Sequence, residues 1–186
     1  MLAAVPDEMI EERRRLGLDR RDEMWDGVLH MVPPASSERG RLELRLAARF
    51  DRAASIRGLW AIAEPGIFDP KVGDMTSYRV PDLGYARPAD VTERGIEGRA
   101  ALAVEILSPR DESYEKLPFY LQVGVEELLY LDQTTRKFEV RRPEGDGWGV
   151  VGADDVGWTP LAGLGVALRL AEGRLLVRTD VGTEEV

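Results

Sequence analysis

Cysteine is absent from the 186 residues, which excludes disulfides, zinc–thiolate centres and cysteine nucleophiles. Histidine occurs once, as His30, so a three-histidine zinc site cannot be built. A Ser-His-Asp triad would have to use that single histidine, and no Gly-x-Ser-x-Gly elbow is present to offer the serine. Metal chemistry, if there is any, must therefore run through carboxylate oxygens, which suit magnesium or manganese. Lysine is scarce as well: Lys71, Lys116 and Lys137 are the only ones among 25 basic residues. A lysine kept in an arginine-rich chain hints at a place that needs a compact ammonium rather than a planar fork, though chance explains any single one equally well. No apolar run approaches membrane-spanning length, and "MLAAVPDEMIEERRR" lacks the charge-then-apolar order of a signal peptide. The expectation is a soluble, cytoplasmic protein without a membrane partner.

What is present is acidic. The formal net charge is −9. That argues against a wide basic surface gripping nucleic-acid phosphates but leaves room for a local basic groove. A hydrophobic content of 44% suits one compact domain over residues 1–186. We place its core at about 20–143 and an extension of C-terminal strands at about 144–180.

Along the chain, Pro6 to Leu16 has the pattern of a short amphipathic helix. Glu23 to Val32 reads as a strand pair bent at Asp26-Gly27. From Arg39 to about Ile56, Leu42, Leu46, Phe50 and Ala53 share one helical face. Arg41, Arg45, Arg49 and Arg52 form a second stripe, either a solvated face or a phosphate-facing ridge. "MTSYRVPDLGYARP" predicts a strand through Pro81-Asp82, with the proline suggesting an edge or a bulge. Residues 127–143 predict a hairpin turning at Asp132 to Thr135. Short strands and glycine turns follow, with a hairpin at Glu172-Gly173 and a frayed tail, "DVGTEEV". The order of elements fits an α+β fold with a mixed, mostly antiparallel central sheet flanked by helices.

The chemistry concentrates in "ALAVEILSPRDESYEKLPFY". Leu102, Val104 and Ile106 alternate on one face of a buried strand, with Ala103, Glu105 and Leu107 on the other. A carboxylate there is costly unless it meets a cation, a metal or hydrogen-bond donors. Ser108-Pro109 ends the strand, and Asp111 or Ser113 can cap a following helix that carries Lys116 early. Asp82 and Glu105 can lie side by side on neighbouring strands and share a divalent ion. Equally, they can be a turn aspartate and an ion-paired glutamate.

The segments "RVPDLGYAR" and "ALAVEILSPRDESYEKLPFYLQVGVEELLYLD" resemble the PD-(D/E)XK nuclease superfamily, and more closely its Uma-type restriction-endonuclease family. "DEMWDGVLHMVPPASSERGRLELRLAARF" is similar to the same family's opening segment, Pro-Pro turn and first long helix. The resemblance spans Glu23 to Pro143 and implies a restriction-endonuclease-like core. It implies metal ligation by Asp82 and Glu105, with Mg2+ or Mn2+ as cofactor, and an assisting role for Glu23. The superfamily's usual lysine position holds Leu107 here, and Lys116 matches the lysine moved to the next helix. Arg39 stands where relatives commonly carry histidine. DNA is the implied substrate and partner, and the expected activity is endonucleolytic hydrolysis. A catalytically silent fold serving as a binding or regulatory module is the alternative. The short C-terminal strands suggest a homodimer through their edges.

Overall fold

The computed structural model describes residues 6–17, 19–71, 76–97, 99–109 and 112–186. Asp111, one of the two candidate caps, lies outside them. Helix α1 (Asp7–Arg15) has an acidic first turn and a basic last turn, which complement its dipole. Strands β1 (Glu23–Trp25) and β2 (Val28–His30) pair antiparallel through Asp26-Gly27, whose φ values of 49° and 85° explain the Asp-Gly choice. Helix α2 (Ser37–Ile56) is capped by Ser36, whose hydroxyl accepts the Arg39 N–H at 3.2 Å. Its expected apolar face of Leu42, Leu46, Phe50 and Ala53 is buried.

Then come β3 (Trp60–Ala63), β4 (Ile67–Phe68), β5 (Tyr78–Arg79), β6 (Leu83–Ala86), β7 (Ile96–Glu97) and β8 (Ala100–Leu107). The strand expected to run through Pro81-Asp82 is two strands in different sheets, β5 and β6. Pro81 has no N–H to give a ladder, so the chain changes sheets there and Asp82 sits just before β6. Nor is β6 an edge, since it lies between β3 and β8. The proline constraint is met by leaving Pro81 outside the ladder.

A 3-10 turn at Ser113–Lys116 leads into α3 (Leu117–Gln122). Lys116 therefore immediately precedes the α-helix instead of lying within its first turns. The chain continues through β9 (Leu128–Asp132), β10 (Phe138–Glu144), β11 (Gly147–Val150), β12 (Thr159–Leu161), β13 (Val166–Ala171), β14 (Arg174–Thr179) and β15 (Gly182–Glu185).

The central sheet has the order β11-β10-β9-β8-β6-β3, and within it only β8 and β9 run parallel. A second sheet has the order β2-β1-β5-β4-β7, and a third β12-β13-β14-β15. This is the mixed, mostly antiparallel α+β arrangement expected. The two faces of β8 separate as the alternation requires. Leu102, Val104 and Ile106 join the core that contains Leu46, Phe50, Leu168 and Val177, while Ala103 joins the core with Phe119, Tyr120 and Leu128. The tail does not fray. β15 pairs along β14, and Val186 is buried, its N–H donating to Leu175 O at 2.9 Å. A terminal valine with a place in the core holds the last strand down. Leu161, Val166, Leu168, Leu175 and Val177 of the third sheet face the chain's own core, while Leu170 is exposed, and one of its two edge strands, β15, carries the exposed Glu184 and Glu185. Charges on an edge discourage further strand pairing.

Candidate active site

Glu105 is 1% exposed, in the middle of the central sheet. Its carboxylate accepts Lys116 Nζ at 3.0 and 3.2 Å, Tyr120 Oη at 2.5 Å and Ser113 Oγ at 3.2 Å. Those three donors follow at helical spacing, so one face of the turn and of α3 closes over the strand. Lys116 Nζ also lies 2.8 Å from Glu23 Oε1. Glu23 is fixed in turn by the Val80 N–H at 2.9 Å and by Trp25 Nε1 at 2.7 Å. Lys116 thus bridges the β1 carboxylate and the β8 carboxylate.

Burial pushes the Glu105 carboxyl upward, Lys116 pulls it back, and Glu23 and Asp82 push it up again, leaving it above the usual carboxylate range. Burial alone would lower the Lys116 ammonium, but Glu105 and Glu23 outweigh it and raise it. Lys116 is therefore firmly cationic at neutral pH.

Asp82 is fully buried. The ladder pairs Leu83 with Val104, which brings Asp82 up to Glu105 at the next position. The Ile106 N–H donates to Asp82 Oδ2 at 2.6 Å. Arg39 grips the carboxylate with a fork, Nε on Oδ1 at 2.9 Å and Nη2 on Oδ2 at 2.8 Å. Arg21 Nη2 adds a contact to Oδ1 at 2.9 Å, and its Nε meets Glu64 Oε1 at 3.0 Å. Close by on α2, burial raises Glu43 to about 7, with Asp82 and Glu64 adding repulsion.

Beside this cluster is a cavity of about 610 Å³, whose described lining includes Glu23 and Glu105 but not the buried Asp82. Arg21, Glu23, Arg39, Glu105, Ser113 and Lys116 form its polar side, and Trp25, His30, Pro33 and Pro34 contribute to the rest. His30 stacks on Trp25 with ring centroids 4.0 Å apart. Leu107, where the resemblance implies a lysine in other nucleases, packs against the apolar cluster that contains Ala103 and Phe119.

The donor chemistry of Asp82 and Glu105, hard oxygens on adjoining chain segments, fits a magnesium- or manganese-like cation. Among the described residues no group of three His, Cys, Asp or Glu side chains forms a ready-made metal cage.

The arginine stripe on α2 is partly solvated and partly paired within the chain. Arg49 Nε is 2.8 Å from Glu184, Arg52 Nη2 is 3.3 Å from Asp180, and Arg45 Nη2 donates to Glu185 O at 3.3 Å. The β14–β15 hairpin thus engages these three, while Arg41 stays exposed, and none of the four borders the cavity described above.

Sequence reasoning missed Arg21 and the grip of Arg39 on Asp82. Arg21 comes 61 positions before its partner, in a turn without periodicity. Ser113 and Tyr120 were findable, because they stand three before and four after Lys116 and so share its face.

Comparison with the curated proteins found no match. Among solved structures, the chain is similar to a crystal structure titled as a "putative nuclease belonging to DUF820" from Anabaena variabilis ATCC 29413, with 16% identity and a TM-score of 0.62. The likeness covers 77% of this chain and 83% of that one, and it shows a shared fold. No helix among the described residues is long and apolar enough to cross a membrane. A family model, "Uma2: Putative restriction endonuclease", matches residues 8–171. With most of its length matched, and with the expected fold, this chain belongs to the Uma2 family.

Proposed function

We propose that this chain is a magnesium- or manganese-dependent endonuclease that hydrolyses DNA phosphodiester bonds in the cavity beside Glu105. The observation that carries the reading is the position of Lys116 Nζ, 3.0 Å from Glu105 and 2.8 Å from Glu23, at the wall of a cavity also lined by Arg21 and Arg39, the two arginines that hold the buried Asp82. Asp82 and Glu105 would hold the cation, which would supply an activated water and neutralise developing charge. Lys116 keeps its proton, so it stabilises a phosphate oxygen as charge builds there and does not act as a base. Glu23 positions the ammonium. Arg21, Arg39 and Lys116 give the cavity local cations despite the acidic whole, which suits a phosphate backbone. The family description supports a nucleic-acid substrate.

A catalytically silent binding module is the second reading, favoured by the grip of two arginines on Asp82. Cleavage of plasmid and single-stranded DNA by the purified chain, with Mg2+ or with EDTA, separates the two. Metal-dependent cleavage that is lost in Glu105→Gln supports the enzyme. Its absence in the wild type under every metal supports the module.

A further inference from the structure

The contacts of Asp82 bear on how the site would load a metal. Both carboxylate oxygens already accept N–H donors: Oδ1 from Arg21 and from Arg39 Nε, Oδ2 from Arg39 Nη2 and from the Ile106 N–H. The cations Arg21, Arg39 and Lys116 are already answered by Glu23, Asp82, Glu105 and Glu64, the second partner of Arg21. A divalent cation arriving alone must break the arginine contacts and bring two positive charges next to three cations. A phosphate diester changes both conditions. Its oxygens accept the same bidentate fork that a carboxylate accepts, and its charge offsets part of the incoming metal's. Both arginines border the cavity, and their side chains are 16% and 13% exposed for Arg39 and Arg21, so a phosphate can reach them.

Resting on the metal-dependent reading above, we propose that Arg39, assisted by Arg21, is a guanidinium latch on Asp82 that a DNA phosphate releases. The phosphate takes over the Arg39 fork, Asp82 becomes available to the cation, and metal and DNA bind with positive coupling. Arg39 is then a positioning residue that makes metal loading conditional on substrate. With Asp82 and Glu105 as the only carboxylates assigned to the cation among the described residues, the same phosphate would help complete its shell and add to the coupling.

The test is Ca2+ binding by calorimetry to the full chain, with and without a short DNA duplex, for wild type, Arg39→Gln and Arg39→Lys. Calcium is chosen to measure binding without turnover. Wild type should bind Ca2+ about tenfold more tightly with the duplex, within the common range of coupling between sites. Reciprocally, Ca2+ should tighten duplex binding by the same factor, measured by fluorescence anisotropy on wild type alone. Arg39→Gln should bind Ca2+ about tenfold more tightly than wild type without DNA and gain little when DNA is added. Arg39→Lys, which keeps the charge without the fork, should fall between them. Equal Ca2+ binding by wild type and Arg39→Gln, with no effect of duplex on wild type, overturns the latch and leaves the metal reading standing. No Ca2+ binding by any of the three, with or without duplex, overturns the metal reading and the latch with it. Should Arg39→Gln fail to fold by circular dichroism, Arg39→Lys decides: tighter Ca2+ binding than wild type without DNA supports the latch, and equal binding overturns it.

Discussion

Lys116 Nζ sits 3.0 Å from one Glu105 carboxylate oxygen and 3.2 Å from the other, so the ammonium straddles a carboxylate that is itself 1% exposed. The pair is structural as well as chemical. Removing the ammonium strands Glu105 and weakens the hold on Glu23. Lys116→Met should therefore lower stability at pH 7.5 by about 3–5 kcal/mol, the usual cost of breaking a buried pair from one side. Without its cation, Glu105 should titrate still higher than it does now. Its protonated form is then favoured by folding, so the loss should shrink as pH falls toward 5. Urea titrations at the two pH values check this, and an equal loss at both would contradict it.

Tyr120 donates its hydroxyl to Glu105 Oε1 at 2.5 Å and is fully buried. Tyr120→Phe removes one donor from a charged acceptor and little volume. We expect a loss of about 1.5–3 kcal/mol in chemical denaturation at neutral pH. A change below a few tenths would show that the contact adds nothing to the Glu105 site.

Glu43 gives a pH dependence of opposite sign to the usual carboxylate. Burial raises it to about 7, with Asp82 and Glu64 adding to the shift. Its folded pKa lies above its unfolded value, so folding favours the protonated form, and stability should decline as pH rises from about 4.5 to about 7. Glu43→Gln should flatten that decline and stabilise the protein at pH 8 by a margin of the order of 3 kcal/mol. Melting temperatures of both proteins from pH 4.5 to 8 test it. Parallel curves would mean that Glu43 is charged in the fold at no cost.

Glu127, 2% exposed, joins the third sheet to the central one. Its oxygens accept Arg142 Nε at 2.6 Å and the Ala162 and Gly163 N–H groups at 3.1 and 3.0 Å. Glu127→Ala should destabilise by about 2–4 kcal/mol through those unmet donors. Ca2+ affinity of the folded fraction should be unchanged, because Glu127 does not border the cavity. A matching loss of Ca2+ affinity would tie the C-terminal sheet to the site.

Local pattern made the α2 face, the two faces of β8 and the Asp26-Gly27 hairpin legible. The need for a cation at Glu105 was legible too, since alternation placed a carboxylate inside an apolar strand. The partners that met it, Lys116, Ser113 and Tyr120, come from the next stretch of chain, where helical spacing is readable. Asp82 was harder. Its partners Arg21 and Arg39 arrive from 61 and 43 positions upstream, and only the tertiary fold brings them to it. The proline before Asp82 marked a break in pairing but not that the chain leaves one sheet for another there. The tail misled because its glycine and acids suggest fraying, whereas the buried Val186 holds β15 along β14.

The central claim is that Asp82 and Glu105 support metal-dependent hydrolysis of DNA. The most direct measurement is plasmid cleavage by wild type, Asp82→Asn and Glu105→Gln, each first shown folded by circular dichroism, in Mg2+, Mn2+ and EDTA. These near-isosteric changes keep the buried volumes that alanine would empty. The account predicts cleavage by wild type in Mg2+ or Mn2+, none in EDTA, and a loss of at least about a hundredfold in either variant. Wild-type cleavage that persists in EDTA, or full activity in either folded variant, would contradict it.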